Sequence, residues 1–154
     1  SLLIDGKLCE TEETFDIYSP TTEEIVGTAP HATDAQLEQA VVAAYNAQQV
    51  WGSLPHMRRS IALAECCGAI RAEAQELAEL ATRESGRPIS ETSVEVAVAA
   101  AMFEAAAASL DIDTQEESVR EDDEQRIVIR RLPLGVVAII APWNAPIVLG
   151  WKPT

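Results

Sequence analysis

Positive charge is scarce in this 154-residue chain: 11 Lys and Arg stand against 25 Asp and Glu, a net charge of −14. A nucleic-acid binder needs cations to displace counterions from phosphates, and the densest cationic cluster is only Arg126, Arg130 and Arg131. No nucleic-acid partner is expected. Histidine is also rare. His31 and His56 stand alone, without the cysteine or carboxylate spacing that metal or triad chemistry requires. The three cysteines are an odd number and two of them, Cys66 and Cys67, are adjacent, which excludes a secreted disulfide framework and points to a reducing cytoplasm. Cys9, Cys66 and Cys67 all read as core filling rather than reactive thiols. The N-terminus has no cationic region followed by an apolar stretch, so no signal peptide is expected. One uncharged stretch, residues 132–151, is long enough to span a bilayer. Pro133, Gly135, Pro142, Asn144, Pro146 and Gly150 interrupt it, so it reads as a buried strand followed by a turn, with no membrane partner.

What is present is a hydrophobic fraction of 47%, enough for a core at one-domain length. Asp5-Gly6 between Leu2-Leu3-Ile4 and Lys7-Leu8-Cys9 is a hairpin signal. Residues 15–18 and 24–28 predict further strands around the turn Ser19-Pro20-Thr21, so the first thirty residues read as one small β-meander. Thr33-Asp34-Ala35-Gln36 fits a capping box opening a helix along Leu37, Ala40, Val41 and Ala44, with Trp51-Gly52 near its stop. After Pro55 a second helix carries the stripe Ile61, Ala64, Cys67, Ile70, Ala74, Leu77 and Ala81, with Glu73, Glu76 and Glu79 outward. Gly86 and Pro88 close it. Ser90 is positioned to cap a third, alanine-rich helix to about Leu110.

Residues 111–124 are dense in acids. A calcium hand would need glycine where Glu116 follows Asp111-x-Asp113-x-Gln115, so a solvated acidic loop is the better reading. Residues 126–132 alternate as a strand with one wet face. Residues 135–141 form a continuous apolar, β-branched run, the pattern of a strand covered on both faces of a parallel sheet. Such a strand needs parallel neighbours joined by crossovers, and the chain offers none. The architecture therefore reads as α/β but incomplete.

Pro142-Trp143-Asn144-Ala145-Pro146 follows this run, at the strand end where open α/β sheets bind ligands. Asn144 suits two roles there. It could cap a helix that Pro146 opens, or direct its carboxamide into a cleft as an oxyanion donor.

The stretch from Leu134 through Pro142-Trp143-Asn144-Ala145-Pro146 to Gly150-Trp151-Lys152-Pro153 resembles the Pro-Trp-Asn region of the NAD(P)-dependent aldehyde dehydrogenases. Ile4-Asp5-Gly6 and Tyr18-Ser19-Pro20-Thr21-Thr22 resemble that family's opening hairpin and turn, and Glu84-Ser85-Gly86-Arg87-Pro88 its Glu-x-Gly-Lys-Pro helix end. The resemblance covers the chain in order, as the N-terminal portion of such an enzyme. It implies an N-terminal hairpin or meander, three helices and the first strand of a Rossmann-like parallel sheet. The implied segments are 1–118 (hairpin and helices of the cofactor domain), 119–133 (strand of the oligomerisation region) and 134–154 (first parallel strand and Pro-Trp-Asn helix start).

The resemblance also implies a chemistry. A cysteine thiolate attacks an aldehyde, Asn144 donates to the oxyanion of the adduct, hydride passes to NAD or NADP, and a glutamate activates the hydrolytic water. Ile140, Ala141, Pro142 and Trp143 would lie along the cofactor. Ala145, Leu149 and Trp151 would line the substrate tunnel, Ala145 in place of the usual phenylalanine. Lys152 matches a proton-relay lysine of some members. The nucleophile motif Gly-Gln-x-Cys, the Glu-Leu-Gly-Gly base motif, the ribose-contacting lysine and the Gly-Ser-Thr cofactor loop are not in the sequence, so the chain alone is expected to be inactive. Partners implied are a small aldehyde and a homodimer or homotetramer. The alternative reading is a non-catalytic helical module, a remnant subunit that pairs with a full-length enzyme through its unpaired strand edge.

Overall fold

The computed structural model describes residues 1–113, 116–122 and 125–151, side chains of 111–113 excepted. Asp5 and Gly6 both take left-handed backbone, with φ of 52° and 71°, as a two-residue hairpin turn demands. They join β1 (Leu2–Ile4) to β2 (Lys7–Cys9), with Leu3 opposite Leu8. A second antiparallel hairpin pairs β3 (Glu13–Tyr18) with β4 (Ile25–His31), Phe15 facing Ala29, with a bulge at Ile17/Tyr18. The two hairpins are separate sheets, not the single meander expected. Between them the backbone is diverted: the Thr11 hydroxyl donates to the Glu13 carbonyl at 2.8 Å, and the Glu10 carbonyl accepts from Gln36 Nε2 at 3.0 Å.

The capping box forms as expected. Thr33 Oγ1 accepts from the Gln36 N–H at 3.2 Å and Gln36 Oε1 accepts from the Thr33 N–H at 3.1 Å, opening α1 (Asp34–Ser53). This helix buries no residue, and Leu37, Val41 and Tyr45 of its apolar face stay exposed.

The expected second helix is two. α2 (His56–Ala72) and α3 (Ala74–Ser85) meet at Glu73, whose φ of −99° and ψ of 13° leave helical geometry for one residue. The Glu73 N–H still bonds to Ala69 O and its carbonyl accepts from Leu77, so the stripe keeps its phase through the kink. Cys67 and Ala81 of that stripe are buried, whereas Ile61 and Ala64 face out and Leu63 turns inward instead. Gly86 closes α3 in the left-handed conformation, φ 72°, its N–H on Thr82 O.

α4 (Ile89–Asp113) is the spine. Ser90 does not cap it. Pro88 precedes the first turn and its carbonyl accepts from Glu91 and Thr92, placing Ser90 inside the helix. The helix packs on α2, α3 and α5 (Pro146–Trp151) through Val96, Ala99, Ala100 and Phe103, all buried. The opposite face of the helix stays open, with Val94 and Val98 exposed. Ser60 Oγ donates to Ala107 O at 2.9 Å, tying α2 to its far half. Residues Ile89–Leu110 are long and apolar enough to cross a bilayer by length and composition, yet Thr92 and Glu95 of this stretch are buried among the helices.

Part of the expected acidic loop is a strand: β5 (Glu117–Glu121) pairs antiparallel with β6 (Arg126–Ile129), Ser118 opposite Val128. Glu121 of β5 lies 3.9 Å from Arg126 Nε of β6, and just before β5 Glu116 pairs with Arg126 and Arg130, which offsets part of the acidic charge. The calcium-like pattern of Asp111, Asp113 and Gln115 lies outside the described side chains.

Residues 135–141 depart most from expectation. They pair with no described strand, and the faces expected to be covered are open, with Ile140 96% exposed and Val137 45%. A strand exists only through its neighbours' hydrogen bonds, and no described segment supplies them. Alternate residues Gly135, Val137 and Ile139 nevertheless line one cavity above α2 and α4, together with Trp51, Arg59 and Leu63. The segment is extended and half seated.

Two predictions follow from these contacts. An added Cβ at Gly86 would lie 2.8 Å from Pro20 Cγ and 3.2 Å from Thr21 Oγ1, besides straining a left-handed backbone. Gly86→Ala should therefore destabilise the fold by about 1–3 kcal/mol, read as a lower denaturant midpoint at unchanged slope. The second concerns Glu116, which accepts from Arg130 and lies 3.6 Å from Arg126 Nη2. The Arg130 hydrogen bond holds its carboxyl below the ordinary glutamate value. With the folded value below the unfolded one, the pairing stabilises the β5–β6 hairpin above the ordinary glutamate range and is lost as the pH falls through the lowered folded value. Hairpin amide shifts should titrate in this acid range, and Glu116→Gln should abolish the step.

Candidate functional site

Three sequence blocks far apart in the chain meet at one open groove of about 720 Å³. Tyr18 and Pro20 come from the β3–β4 turn. Glu84, Ser85 and Arg87 come from the end of α3. Ala141, Pro142, Trp143 and Pro146 come from the segment leading into α5. The turn is rigid because the Ser19 side chain, nearly buried, accepts from the Thr21 and Thr22 N–H groups at 3.3 Å each. Gly86 carries no side chain, so Pro20 and Thr21 pack directly against its backbone.

Behind the groove lies a buried ion pair. Glu95, on α4, has a side chain only 3% exposed, and one of its carboxylate oxygens accepts from Arg87 Nη1. Its other oxygen accepts from the Ile147 N–H at 2.8 Å and the Val148 N–H at 3.4 Å. These are the first donors of α5, because Pro146 has no N–H. The Glu95 hydrogen bond holds the Arg87 guanidinium above its ordinary value. Arg87 also reaches Glu91 Oε2 at 3.4 Å. At the other end of α5, Trp151 sets its ring edge-on to Phe103, with centroids 4.9 Å apart. α5 is thus clamped to α4 at its first turn and again at Trp151.

Asn144 therefore does not cap α5. It sits exposed in the turn before the helix, its carboxamide without a hydrogen-bond partner among the described residues. Ile140, Ala141, Pro142 and Trp143 are exposed as well, Trp143 at 76%. Of this group Ala141, Pro142 and Trp143 reach the groove. Ala145 and Leu149 are half-buried and do not line it, and Trp151 turns to Phe103. Lys152 lies outside the described residues.

Glu95 and Arg87 were not singled out from sequence for this role. The available signal was a lone acid at the inward phase of an otherwise apolar helix, the position where an unpaired charge is costly. None of the three cysteines lines the groove. Cys67 packs with Ala100 and Phe103 in the core, Cys9 is half-buried and Cys66 is exposed, against its expected core role. Cys66 misses the core because it precedes the inward position on α2 by one residue, about 100° around the helix.

Helices packed beside small two-stranded sheets make the described residues part of a mixed α and β fold. The chain belongs to the aldehyde dehydrogenase family, which it matches over residues 8–153. It is 36% identical over 148 residues to a probable aldehyde dehydrogenase of a Pseudomonas species, covering 96% of this chain and 30% of the relative. It is 32% identical over 146 residues to the succinate semialdehyde dehydrogenase of Acinetobacter baylyi, covering 94% and 30%. Among solved structures, the aldehyde dehydrogenase KauB of Pseudomonas aeruginosa superposes with a TM-score of 0.89 at 30% identity, over 96% of this chain and 31% of that one. The betaine aldehyde dehydrogenase of Staphylococcus aureus in complex with NAD+ superposes with a TM-score of 0.88 at 26% identity, over 96% and 30%. The chain spans about 30% of the length of these curated relatives and corresponds to an N-terminal portion of them.

Thiol accessibility checks the placement of the cysteines. Cys66 should react with Ellman's reagent in the native chain at the rate of a free thiol, and Cys67 only as fast as the protein unfolds. Equal rates for the pair would contradict the α2 register.

Proposed function

We propose that this chain is the N-terminal portion of an enzyme that oxidises an aldehyde to a carboxylic acid with NAD or NADP, and that Asn144 supplies the oxyanion donor. The observation that carries this reading is the exposed Asn144 carboxamide, without a hydrogen-bond partner among the described residues. It stands two residues ahead of a helix whose first donors Glu95 takes, and beside the groove rather than in its lining. When a nucleophile adds to an aldehyde carbonyl, the oxygen gains negative charge. An amide N–H already in place stabilises that charge without reorganisation.

Residues 140–143 suit a dinucleotide, because their backbone groups form no ladder with any described strand and the adjoining side chains are apolar and exposed. Ile140, Ala141, Pro142 and Trp143 would hold it there, and the bound nicotinamide would supply the hydride acceptor. Ala145, Leu149 and Trp151 are assigned to the substrate tunnel, with small Ala145 leaving room for a bulkier aldehyde. Lys152 is assigned to proton relay. The thiolate and the water-activating glutamate belong to sequence beyond these residues, so the 154-residue chain should not turn over aldehyde by itself. We assign the three segments 1–118, 119–133 and 134–154 as above, with the β5–β6 hairpin contributing to a homodimer or homotetramer in the cytoplasm.

A second reading, a non-catalytic module that pairs with a full-length enzyme, is favoured only by the exposed apolar run at residues 135–141. Size-exclusion chromatography separates the two: a monodisperse monomer with a cooperative melt supports an independent module, whereas aggregation or obligate pairing supports a severed piece of a larger enzyme.

In the full-length protein, Asn144→Ala should lower kcat by about 10²–10³, or roughly 2.7–4 kcal/mol of transition-state stabilisation, with little change in melting temperature. An unchanged kcat with a lower melting temperature would leave Asn144 a structural residue.

A further inference from the structure

We propose that Glu95 is a positioning residue that sets where Asn144 stands, acting through the first turn of α5. The catalytic consequence rests on the reading of Asn144 given above; the structural claim does not. The described part of α5 runs from Pro146 to Trp151, and a helix start whose first N–H groups lack intrahelical acceptors needs partners from elsewhere in the fold. Its first turn offers two unpaired donors, the Ile147 and Val148 N–H groups, and Glu95 takes both. Asn144 lies three residues before Ile147, joined through Ala145 and the fixed φ of Pro146. A shift of the Ile147 anchor is therefore carried to the carboxamide with little room for absorption.

Glu95 can serve because it is itself fixed. Its helix is the longest in the chain, and the adjoining Val96 and the nearby Thr92 are fully buried. Arg87 holds the carboxylate from the opposite side, and Arg87 is anchored in turn at the end of α3, one residue past Gly86. The chain Arg87, Glu95, Ile147 thus runs from the wall of the groove to the turn that bears Asn144. A carboxylate at this helix N-terminus also meets the positive end of the helix dipole.

The test uses the full-length protein bearing this chain, as wild type, Glu95→Ala and Glu95→Gln. Hydrogen–deuterium exchange is followed over the peptide that contains residues 145–150, beside steady-state oxidation of propionaldehyde with NAD. In Glu95→Ala, exchange at Ile147 and Val148 should quicken about tenfold. kcat should fall about a hundredfold, with KM within about threefold. Glu95→Gln keeps one acceptor oxygen for the Ile147 N–H but sets an amide NH2 against Arg87. Protection and kcat should both fall between those of Glu95→Ala and the wild type, a parallel ordering that a general loss of stability would not produce selectively at Ile147 and Val148. Unchanged exchange in a folded Glu95→Ala protein overturns the proposal. So does quickened exchange with an unchanged kcat, since the turn would then move without consequence for Asn144. If the wild type oxidises no aldehyde, the functional reading fails on its own, and the exchange result alone decides whether Glu95 holds the turn.

Discussion

The Glu95 carboxylate is the point on which three elements depend. A glutamate at the inward phase of an apolar helix costs several kcal/mol unless its charge is met and its lone pairs are used. Here Arg87 meets the charge and two backbone N–H groups of α5 use the second oxygen. None of the three is stable in this arrangement alone. Glu95 would be a buried, unpaired anion, Arg87 would lose its principal partner, and α5 would lack its cap. Together they turn a liability of the core into a joint between α3, α4 and α5. Burial of such a group is weak support for overall stability and stronger support for one defined geometry.

That geometry explains why the groove forms where it does. The β3–β4 turn approaches α3 only because position 86 lacks a side chain, which lets Pro20 and Thr21 rest against the helix end. The same glycine, in its left-handed conformation, sends the chain into Arg87 and then into Pro88 at the head of α4. One residue thus sets both the close approach of the hairpin and the direction from which Arg87 reaches Glu95. The groove walls are the consequence: Pro20 from the turn, Arg87 from the helix end, Pro142 and Trp143 from the segment before α5.

What the sequence made legible was what local chemistry decides. The Thr33–Gln36 box, the Asp5-Gly6 turn and the Gly86 stop each depend on two to four consecutive residues, and each formed where expected. The Pro-Trp-Asn block, too, was legible as a motif. Partners distant in sequence were not. Nothing local marks Glu73 as a kink, since the stripe continues through it unbroken. Ser90 looks like a cap, yet Pro88 starts the helix first. Glu117–Glu121 reads as a solvated run until its pairing with Arg126–Ile129 is known, because acids disfavour strands intrinsically and only cross-strand arginines offset that. The link from Glu95 to Ile147 spans 52 positions, beyond any periodicity or spacing argument.

The same distinction between local and distant partners bears on Asn144. It is tethered from two directions. On its C-terminal side the tether is visible: Glu95 holds the start of α5, and the Trp151 ring meets Phe103 further along the helix. On its N-terminal side, residues 135–141 carry the side chains of a central strand but make no ladder with any described strand. Val137 and Ile139 rest on the helices below, while Ile140 points away from them at 96% exposure. A strand run of this composition is most stable with neighbours on both edges and cover on both faces. Pairing with such neighbours would fix the residues before Asn144 as firmly as Glu95 fixes those after it. The helical clamp therefore specifies the axis along which the carboxamide leaves the turn, and the sheet that these residues are patterned to join would specify its height. The donor role proposed for Asn144, which calls for placement to about an ångström, would draw on both constraints.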